Sequence, residues 1–173
     1  MPTFAIQSTL QNPALLQTDA WINGQWFGSK SRFAVTNPAT GEVIAEVANV
    51  GNREATAAIA AAEAALPAWR ALTGKERATI LRRWFELIVA SSADLARILT
   101  LEQGKPLAEA EGEAAYGASF LEWFAEEAKR VAGSIPASTW SDKRMLVLKQ
   151  PIGVCAATVS YTHLRAHETG RNL

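Results

Sequence analysis

The sequence predicts an α/β fold, on three observations. Short β-rich segments separated by turn residues occupy residues 21–47, four helical segments with apolar periodicity occupy residues 52–131, and short apolar runs return after residue 133. Strands, then helices, then strands again indicate a mixed domain, because a helix bundle would carry no strand signals. Residues 1–20 show no such pattern, and we expect them to form a loose N-terminal arm.

The composition is typical of an ordinary soluble globular domain. The chain has 173 residues, 49% of them hydrophobic and 20% charged. Lys and Arg number 17 and balance the 17 Asp and Glu, so no overall positive field favours nucleic acid as a partner. No apolar run approaches the roughly 20 residues of a membrane span. Met1–Leu10 contains no basic residue, so we expect no secretory signal and no membrane association.

Cysteine and histidine usage restricts the kinds of site that we expect. Cys155 is the single cysteine, which excludes a disulfide framework and makes a reducing cytoplasm the expected compartment. His163 and His167 are spaced i, i+4 like a helical metal pair, but no third ligand accompanies them, so no metal site is expected. Neither a G-x-G-x-x-G nor a P-loop spacing occurs.

Two β-hairpins are predicted before residue 48. Trp21–Phe27 contains Asn23 and Gly24, the pair that supplies the two positive-φ positions of a type I′ turn. In the second hairpin, the β-rich segments Phe33–Thr36 and Glu42–Val47 flank an Asn-Pro-Ala-Thr-Gly turn.

The first two helices carry start signals. We expect Asn52 to cap the first, with Glu54 favoured by the helix dipole in its first turn. An alanine-rich run follows, and Pro67 is expected to end it or to start the next turn. Thr73–Glu76 predicts a capping box for the second helix. The predicted apolar stripe of that helix is Ile80, Leu81, Trp84, Phe85 and Ile88.

The third and fourth helices follow directly. Ser91 is expected to cap the third helix and Gly104 to end it. Pro106 suits the first turn of the fourth, which we expect to run to about Val131 and to stop at Gly133. The predicted inward residues of these two helices are Leu95, Ile98, Leu99, Ala110, Ala114, Gly117, Leu121, Phe124 and Ala128. Two short strands, Met145–Leu148 and Gly153–Ala157, are expected after them.

Several segments together resemble successive landmarks of the aldehyde dehydrogenase superfamily. Each is weak alone, but they occur in the family's order and spacing. They are Asn37–Glu42 (NPATGE), Leu66–Arg70 (LPAWR), Leu101–Leu107 (LEQGKPL) and Lys149–Val154 (KQPIGV). Phe120–Arg130 (FLEWFAEEAKR) and Gly133–Pro136 (GSIP) resemble the succinate-semialdehyde dehydrogenase branch. The resemblance covers roughly residues 15–157 and corresponds to the opening part of a full-length member.

The resemblance implies a domain organisation and a chemistry. Residues 21–157 would be an incomplete Rossmann-like cofactor-binding domain, with residues 145–148 in a strand-built oligomerisation arm. The full-length protein would use NAD or NADP, oxidise a small aldehyde to its acid and form a homo-oligomer. In the family a cysteine thiolate attacks the aldehyde, hydride passes to the nicotinamide, and a glutamate-activated water releases the acid.

After Ala157 the sequence departs from the family. Members continue with a Pro-Trp-Asn-Phe-Pro-like run whose asparagine helps to form the oxyanion hole, and Thr158–Leu173 contains no such run. We interpret residues 158–173 as a non-native tail resembling a translated sequencing adapter, with a genuine divergent C-terminus as the alternative. The family's glycine-rich turn, nucleophile and general base would lie further on. We therefore assign no catalytic, cofactor-binding or metal residue, and expect the chain to be inactive and to bind NAD or NADP poorly.

Several candidate residues have both a structural and a functional interpretation. Cys155 is expected to be a buried strand cysteine rather than the nucleophile, which lies far downstream in the family. Glu102 and Lys105 are expected to form a solvated helix end with a glycine cap, rather than an acid–base pair. Trp123 and Phe124 lie on a helix that borders the aldehyde tunnel in the family, but core packing is the favoured interpretation.

Arg82 and Arg83 follow the capping box and are expected to form a solvated face.

For the whole protein the favoured hypothesis is a succinate-semialdehyde dehydrogenase. The alternatives are an aldehyde dehydrogenase of the glutarate-semialdehyde or betaine-aldehyde type, and a non-enzymatic interaction fragment that pairs with itself or with a full-length subunit through its strand arm.

Overall fold

The computed structural model describes residues 5–157, in which strands precede helices. Two 3-10 turns, Ala5–Thr9 and Pro13–Leu15, come first. The strands are β1 (Ala20–Ile22), β2 (Gln25–Phe27), β3 (Arg32–Thr36) and β4 (Val43–Ala48). The helices are α1 (Asn52–Ala71), α2 (Gly74–Ala90), α3 (Ser92–Gln103) and α4 (Leu107–Glu127).

Both predicted hairpins are confirmed. Strands β1 and β2 pair antiparallel around Asn23 and Gly24, whose φ angles are 49° and 75°. Strands β3 and β4 also pair antiparallel, and Asn37 Oδ1 accepts a hydrogen bond from the Ala39 amide in their turn. Each hairpin is a separate two-stranded sheet, and residues 5–157 contain no parallel strand pair.

Helix α1 starts and ends differently from the prediction. Gly51 rather than Asn52 is the N-cap, and its amide donates to Glu54 Oε2 at 3.0 Å. The helix also passes through Pro67 and ends at Ala71, so the expected stop at Pro67 is wrong. Proline costs a helix one backbone hydrogen bond to the residue four positions earlier. That residue, Glu63, is exposed, so water can reach the carbonyl that Pro67 leaves without a donor.

The local signals of the other helices are mostly confirmed. Thr73 caps α2: the Glu76 amide donates to Thr73 Oγ1 at 3.3 Å, and the Thr73 amide donates to Glu76 Oε2 at 2.7 Å. Ser91 is the N-cap of α3, although its side chain makes no capping hydrogen bond. Gly104 ends α3 in the left-handed conformation with φ 74°. Helix α4 ends at Glu127, short of the predicted limit.

The helices pack through small residues. Antiparallel helices α2 and α4 meet where Gly74 lies against the C-terminal end of α4, and a Cβ at Gly74 would come within 2.5 Å of the Ala128 carbonyl oxygen. Backbones approach this closely only over small side chains, which explains why the buried residues of the helices are mainly alanine. They are Ala78, Asp94, Ala96, Ala110, Ala118 and Ala125.

The predicted inward faces of α2 and α4 are therefore partly wrong. Ile80 and Trp84 of α2 are exposed, as are Gly117 and Phe124 of α4. Both helices have more apolar positions than a single face can hold, and the smallest residues occupy the contact. Several larger ones, such as Ile80, Trp84 and Phe124, are turned away from it.

The N-terminal segment is docked, so the expectation of a loose arm is wrong for its described part. Ile6 and Leu10 are buried, and Asp94 on α3 accepts hydrogen bonds from the Gln11 and Asn12 amides. At its other end, the Thr18 carbonyl accepts from the Ala48 amide of β4. The segment gains apolar burial and charge-assisted hydrogen bonds, which offset the entropy of ordering it. The division of the chain at residue 20 stays a prediction.

The two strands predicted after the helices are not formed as regular strands within the described residues. Residues 145–148 contribute one isolated antiparallel bridge, Val147 to Ser134, and residues 153–157 have no strand assignment. A strand is stable only beside partners, and the neighbouring apolar residues Leu146, Leu148 and Ile152 are exposed.

The β3–β4 turn approaches the end of α3 closely. A Cβ at Gly104 would lie 2.9 Å from Pro38 Cγ in the β3–β4 turn.

Among the described helices, none is both long and apolar enough to cross a membrane.

Candidate functional surface

The described residues do not give Cys155 the surroundings of a nucleophile. The residue is exposed, so the expectation of a buried strand cysteine is wrong. The reason is that residues 153–157 lack a partner strand. Its Sγ lies 3.8 Å from the Gly153 carbonyl oxygen. A peptide carbonyl is not a base that could deprotonate a thiol, so this geometry does not activate the cysteine.

Glu102 and Lys105 flank the predicted glycine-capped helix end, but the expectation of a solvated end is wrong for Lys105, whose side chain is 19% exposed. Lys105 Nζ pairs with the Glu113 carboxylate on α4, and this pair fastens the α3–α4 loop to the following helix. Neighbouring atoms remove some water from the carboxyl group of Glu102 and raise its pKa above 4.5, although the residue as a whole stays exposed. This arrangement supports a structural role.

Metal binding has no visible basis in the part of the chain that the structure describes. No three His, Cys, Asp or Glu side chains among residues 5–157 lie close enough together to hold an ion. His163 and His167, the pair considered from the sequence, lie outside the described residues.

Arg82 and Arg83 are exposed, as predicted. Arg82 also bridges two helices, because its Nη1 donates to Glu122 Oε1 of α4 at 2.8 Å. This bridge could not be predicted from the sequence, because the relative register of two helices cannot be obtained from the periodicity of either.

Asp94 is the most important residue that the sequence analysis missed. It is 4% exposed and is the one buried polar or charged residue among those described. Its Oδ1 accepts from the Gln11 amide at 2.9 Å and its Oδ2 from the Asn12 amide at 2.8 Å. An aspartate in the first turn of a helix is common, so nothing in its sequence context distinguishes it from an exposed residue.

An open groove of about 730 Å³ runs along α4. Trp123 and Phe124 are 62% and 55% exposed, so the expectation that they pack in a core is wrong within the described structure. Tyr116 and Phe120 stack edge to face, with ring centroids 4.9 Å apart. The lining residues are Tyr116, Ser119, Phe120, Glu122, Trp123, Phe124 and Glu126. Aromatic walls beside two carboxylates favour an apolar or cationic group over an anion.

The N-termini of the four described helices do not offer a free anion-binding end to a nicotinamide dinucleotide. Its pyrophosphate is normally bound by the free amides at a helix N-terminus. Each of the four helices carries a carboxylate in its first turn, and two of these carboxylates already accept a hydrogen bond from their own N-cap amide. The four acidic residues are Glu54, Glu76, Asp94 and Glu109. The negative charge of these carboxylates disfavours a pyrophosphate at any of the four ends.

Comparison with known proteins identifies the family. The model of the aldehyde dehydrogenase family matches residues 26–163. This match ends inside the segment interpreted as non-native, and the boundary at residue 157 stays a prediction.

Three relatives illustrate the similarity. The chain is 57% identical to the glutarate-semialdehyde dehydrogenase of Pseudomonas putida over 150 aligned residues. These residues are 86% of this chain and 31% of that protein. It is 56% identical, with the same coverage, to the NADP(+)-dependent succinate-semialdehyde dehydrogenase of Escherichia coli. The solved succinate-semialdehyde dehydrogenase of Burkholderia pseudomallei superposes with a TM-score of 0.82 at 54% identity, over 85% of this chain and 31% of that one.

The chain thus spans about 31% of the length of the curated relatives that it matches. Its segments occur in the same order and fold in the same way as the corresponding part of NAD(P)-dependent aldehyde dehydrogenases. The prediction of a mixed fold of this type is confirmed. The chain belongs to the aldehyde dehydrogenase family.

Proposed function

We propose that this chain is the opening part of a semialdehyde dehydrogenase that oxidises succinate semialdehyde to the dicarboxylic acid with NAD or NADP. The observation that carries the proposal is the identity of more than half of 150 aligned residues to enzymes of this type. Glutarate semialdehyde is the alternative substrate, because a glutarate-semialdehyde dehydrogenase is as similar as the succinate enzyme. The betaine-aldehyde alternative has weaker support, because the solved betaine aldehyde dehydrogenase of Staphylococcus aureus is 28% identical over 76% of this chain.

The described residues provide a scaffold in this proposal rather than the chemistry. The groups that the family uses as nucleophile, general base and cofactor cradle are not assigned to any of residues 5–157. Within residues 5–157 the exposed thiol of Cys155 lies beside the Gly153 carbonyl rather than a base, and the helix N-termini carry their own carboxylates. We therefore propose that the 173-residue chain is inactive alone. A homo-oligomeric whole protein in a reducing cytoplasm is part of the same proposal.

The test is an activity measurement with a matched variant. The purified chain is mixed with succinic or glutaric semialdehyde and with NAD or NADP, and formation of the reduced cofactor is followed by absorbance. The full-length Escherichia coli relative is the positive control. We expect no turnover by this chain, and turnover that disappears in Cys155→Ala would contradict the assignment.

The gene itself offers a second test. Reading downstream of the codon for Ala157 should show an in-frame continuation resembling Pro-Trp-Asn-Phe-Pro. A genuine stop after the codon for Leu173, with no such continuation, would contradict the proposal and favour the non-enzymatic fragment.

That fragment is a second candidate because the segment around Val147 is exposed and almost unpaired. Leu146 and Leu148 are both about two-thirds exposed, and the segment forms only one bridge in the described structure. A strand in this state is a template for pairing with another chain. Sedimentation of the purified chain tests this candidate, which predicts dimers that dissociate in Leu146→Lys.

A further inference from the structure

The turn of the first hairpin places an asparagine and a glycine at an exposed tip. Asn23 is the one non-glycine residue among residues 5–157 with a positive φ angle, and both Asn23 and Gly24 are exposed. The Asn23 carboxamide makes no hydrogen bond to any residue that the structure describes. A Cβ at Gly24 would meet no atom within 4 Å, so the space around this residue is open. The tip therefore presents a free carboxamide followed by an unhindered peptide nitrogen.

This pair of groups has a reaction of its own, which needs only water. We propose that Asn23 is a site of spontaneous deamidation. The Gly24 nitrogen forms a bond to Asn23 Cγ, the bond from Cγ to Nδ2 breaks, and the proton lost by the Gly24 nitrogen leaves with ammonia. Water then adds to either carbonyl of the five-membered imide, the carbonyl–nitrogen bond breaks, and the nitrogen regains a proton. The products are aspartate and isoaspartate, and no group is oxidised or reduced.

The other asparagines that the structure describes are less suited to this reaction. Asn12 and Asn37 each precede a proline, whose nitrogen carries no proton to lose. Asn49 precedes the β-branched Val50, and its carboxamide already donates a hydrogen bond. Asn52 lies in the first turn of α1 and precedes an arginine. Only the asparagine of the hairpin tip is followed by a residue without a side chain.

The hairpin has to open before the ring can close. In a type I′ turn the backbone directs the nitrogen of the second central residue away from the side chain of the first, so attack requires rotation about the ψ angle of Asn23. Opening is favoured here because the sheet consists of two strands of three residues each, and such a hairpin is marginally stable. The cross-strand pair of Trp21 and Trp26, with ring centroids 4.7 Å apart, opposes the opening.

The main product prevents the turn from forming again. Isoaspartate adds one carbon atom to the main chain, so a two-residue turn no longer fits the pairing of Trp21 with Trp26. Ile22, which is buried, is the residue next to the modified position. Deamidation therefore replaces a closed hairpin by an open one that carries an added negative charge. The inference rests on the chemistry of the turn and goes beyond the proposed substrate.

Peptide mapping of the aged protein tests the proposal. The 173-residue chain is incubated at neutral pH, and mass spectrometry with chromatographic separation measures aspartate and isoaspartate at each asparagine. Asn23→Gly is the turn-preserving variant, because glycine also accepts a positive φ angle but has no carboxamide. Trp26→Ala weakens the hairpin, and Trp140→Ala is its control, an exposed tryptophan outside the hairpin. Near-ultraviolet circular dichroism follows the Trp21–Trp26 pair during the incubation.

Because glycine leaves the attacking nitrogen unhindered, we expect Asn23 to react at least about tenfold faster than Asn49, with isoaspartate as the main product. The rate at Asn23 should rise in Trp26→Ala and stay unchanged in Trp140→Ala. The tryptophan signal should fade in the unchanged chain and persist in Asn23→Gly.

Equal rates at Asn23 and Asn49 would overturn the proposal. So would formation of aspartate without isoaspartate, because direct hydrolysis of the carboxamide gives aspartate alone. An unchanged rate in Trp26→Ala would contradict the requirement that the hairpin opens. None of these measurements depends on turnover, so a wrong substrate assignment would leave them unaffected.

Discussion

Replacing Asp94 should release the N-terminal segment from α3. The carboxylate of Asp94 is buried and satisfies two backbone amides, those of Gln11 and Asn12. In Asp94→Ala both amides lose their acceptor while their surroundings stay partly buried. Asp94→Asn is the graded variant, because its amide group retains one acceptor oxygen.

The magnitude follows from these contacts. Leaving a buried donor without an acceptor costs about 1–3 kcal/mol. Two such amides, partly rehydrated as the segment loosens, give a loss of about 3 kcal/mol for Asp94→Ala. Asp94→Asn should cost about half of this, because one hydrogen bond can persist without its charge. A loss of this size is large beside the total of about 5–15 kcal/mol for a typical domain.

Hydrogen exchange and denaturant unfolding together form the assay. At about 1.4 kcal/mol per tenfold change, the Gln11 and Asn12 amides should exchange about a hundredfold faster in Asp94→Ala. The amides of α2 and α4 should remain protected. Asp142→Ala removes an exposed carboxylate and should change stability by less than about 0.5 kcal/mol. If both amides of the Asp94→Ala variant exchange at the unchanged rate, the inferred role of Asp94 is refuted.

Three further predictions concern local structure. The Thr73 amide lowers the pKa of Glu76 below 4.5, so the capping contribution is complete above pH 4.5 and is lost as the pH falls through the lowered pKa. Helicity measured by circular dichroism should fall as the pH drops below 4.5, and it should fall less in Glu76→Gln. Identical pH titrations of the two proteins would contradict this prediction. Gly133→Ala would place a Cβ 2.1 Å from the Val147 carbonyl oxygen and should break the bridge between Ser134 and Val147. The Val147 amide should then exchange faster with solvent. Unchanged protection of this amide would contradict the prediction. Gly24→Val forces a β-branched residue to φ 75° and should lower the free energy of unfolding in urea by about 1–2 kcal/mol. The near-ultraviolet circular dichroism of the Trp21–Trp26 pair should also be lost. An unaltered signal would exclude strain at the turn.

Features that depend on neighbouring residues could be predicted from the sequence. The turn at Asn23 and Gly24 and the capping box that begins at Thr73 involve atoms within a few residues of one another, so their chemistry is visible in a short stretch. Gly104 belongs to the same class, since a left-handed helix end needs a residue without a Cβ.

Features that depend on distant partners could not be predicted. Trp84 and Phe124 have the right spacing for a packed face, but periodicity cannot decide which of two apolar stripes packs when a helix has both. Asp94 binds amides more than eighty residues earlier in the chain. No local pattern encodes that pairing. The active-site chemistry was placed beyond these residues by resemblance, and no physical signal within residues 5–157 replaces it.

The contact between Gly104 and Pro38 links two motifs that look independent in the sequence. One lies in the β3–β4 turn and the other at the end of α3, yet they leave no room for a methyl group between them. A larger residue at position 104 would push on the proline ring as well as strain its own backbone. The tolerated residues at each position therefore depend on the other position. An engineer who grafts either loop from a relative should transfer both loops together, because each was shaped against its own counterpart.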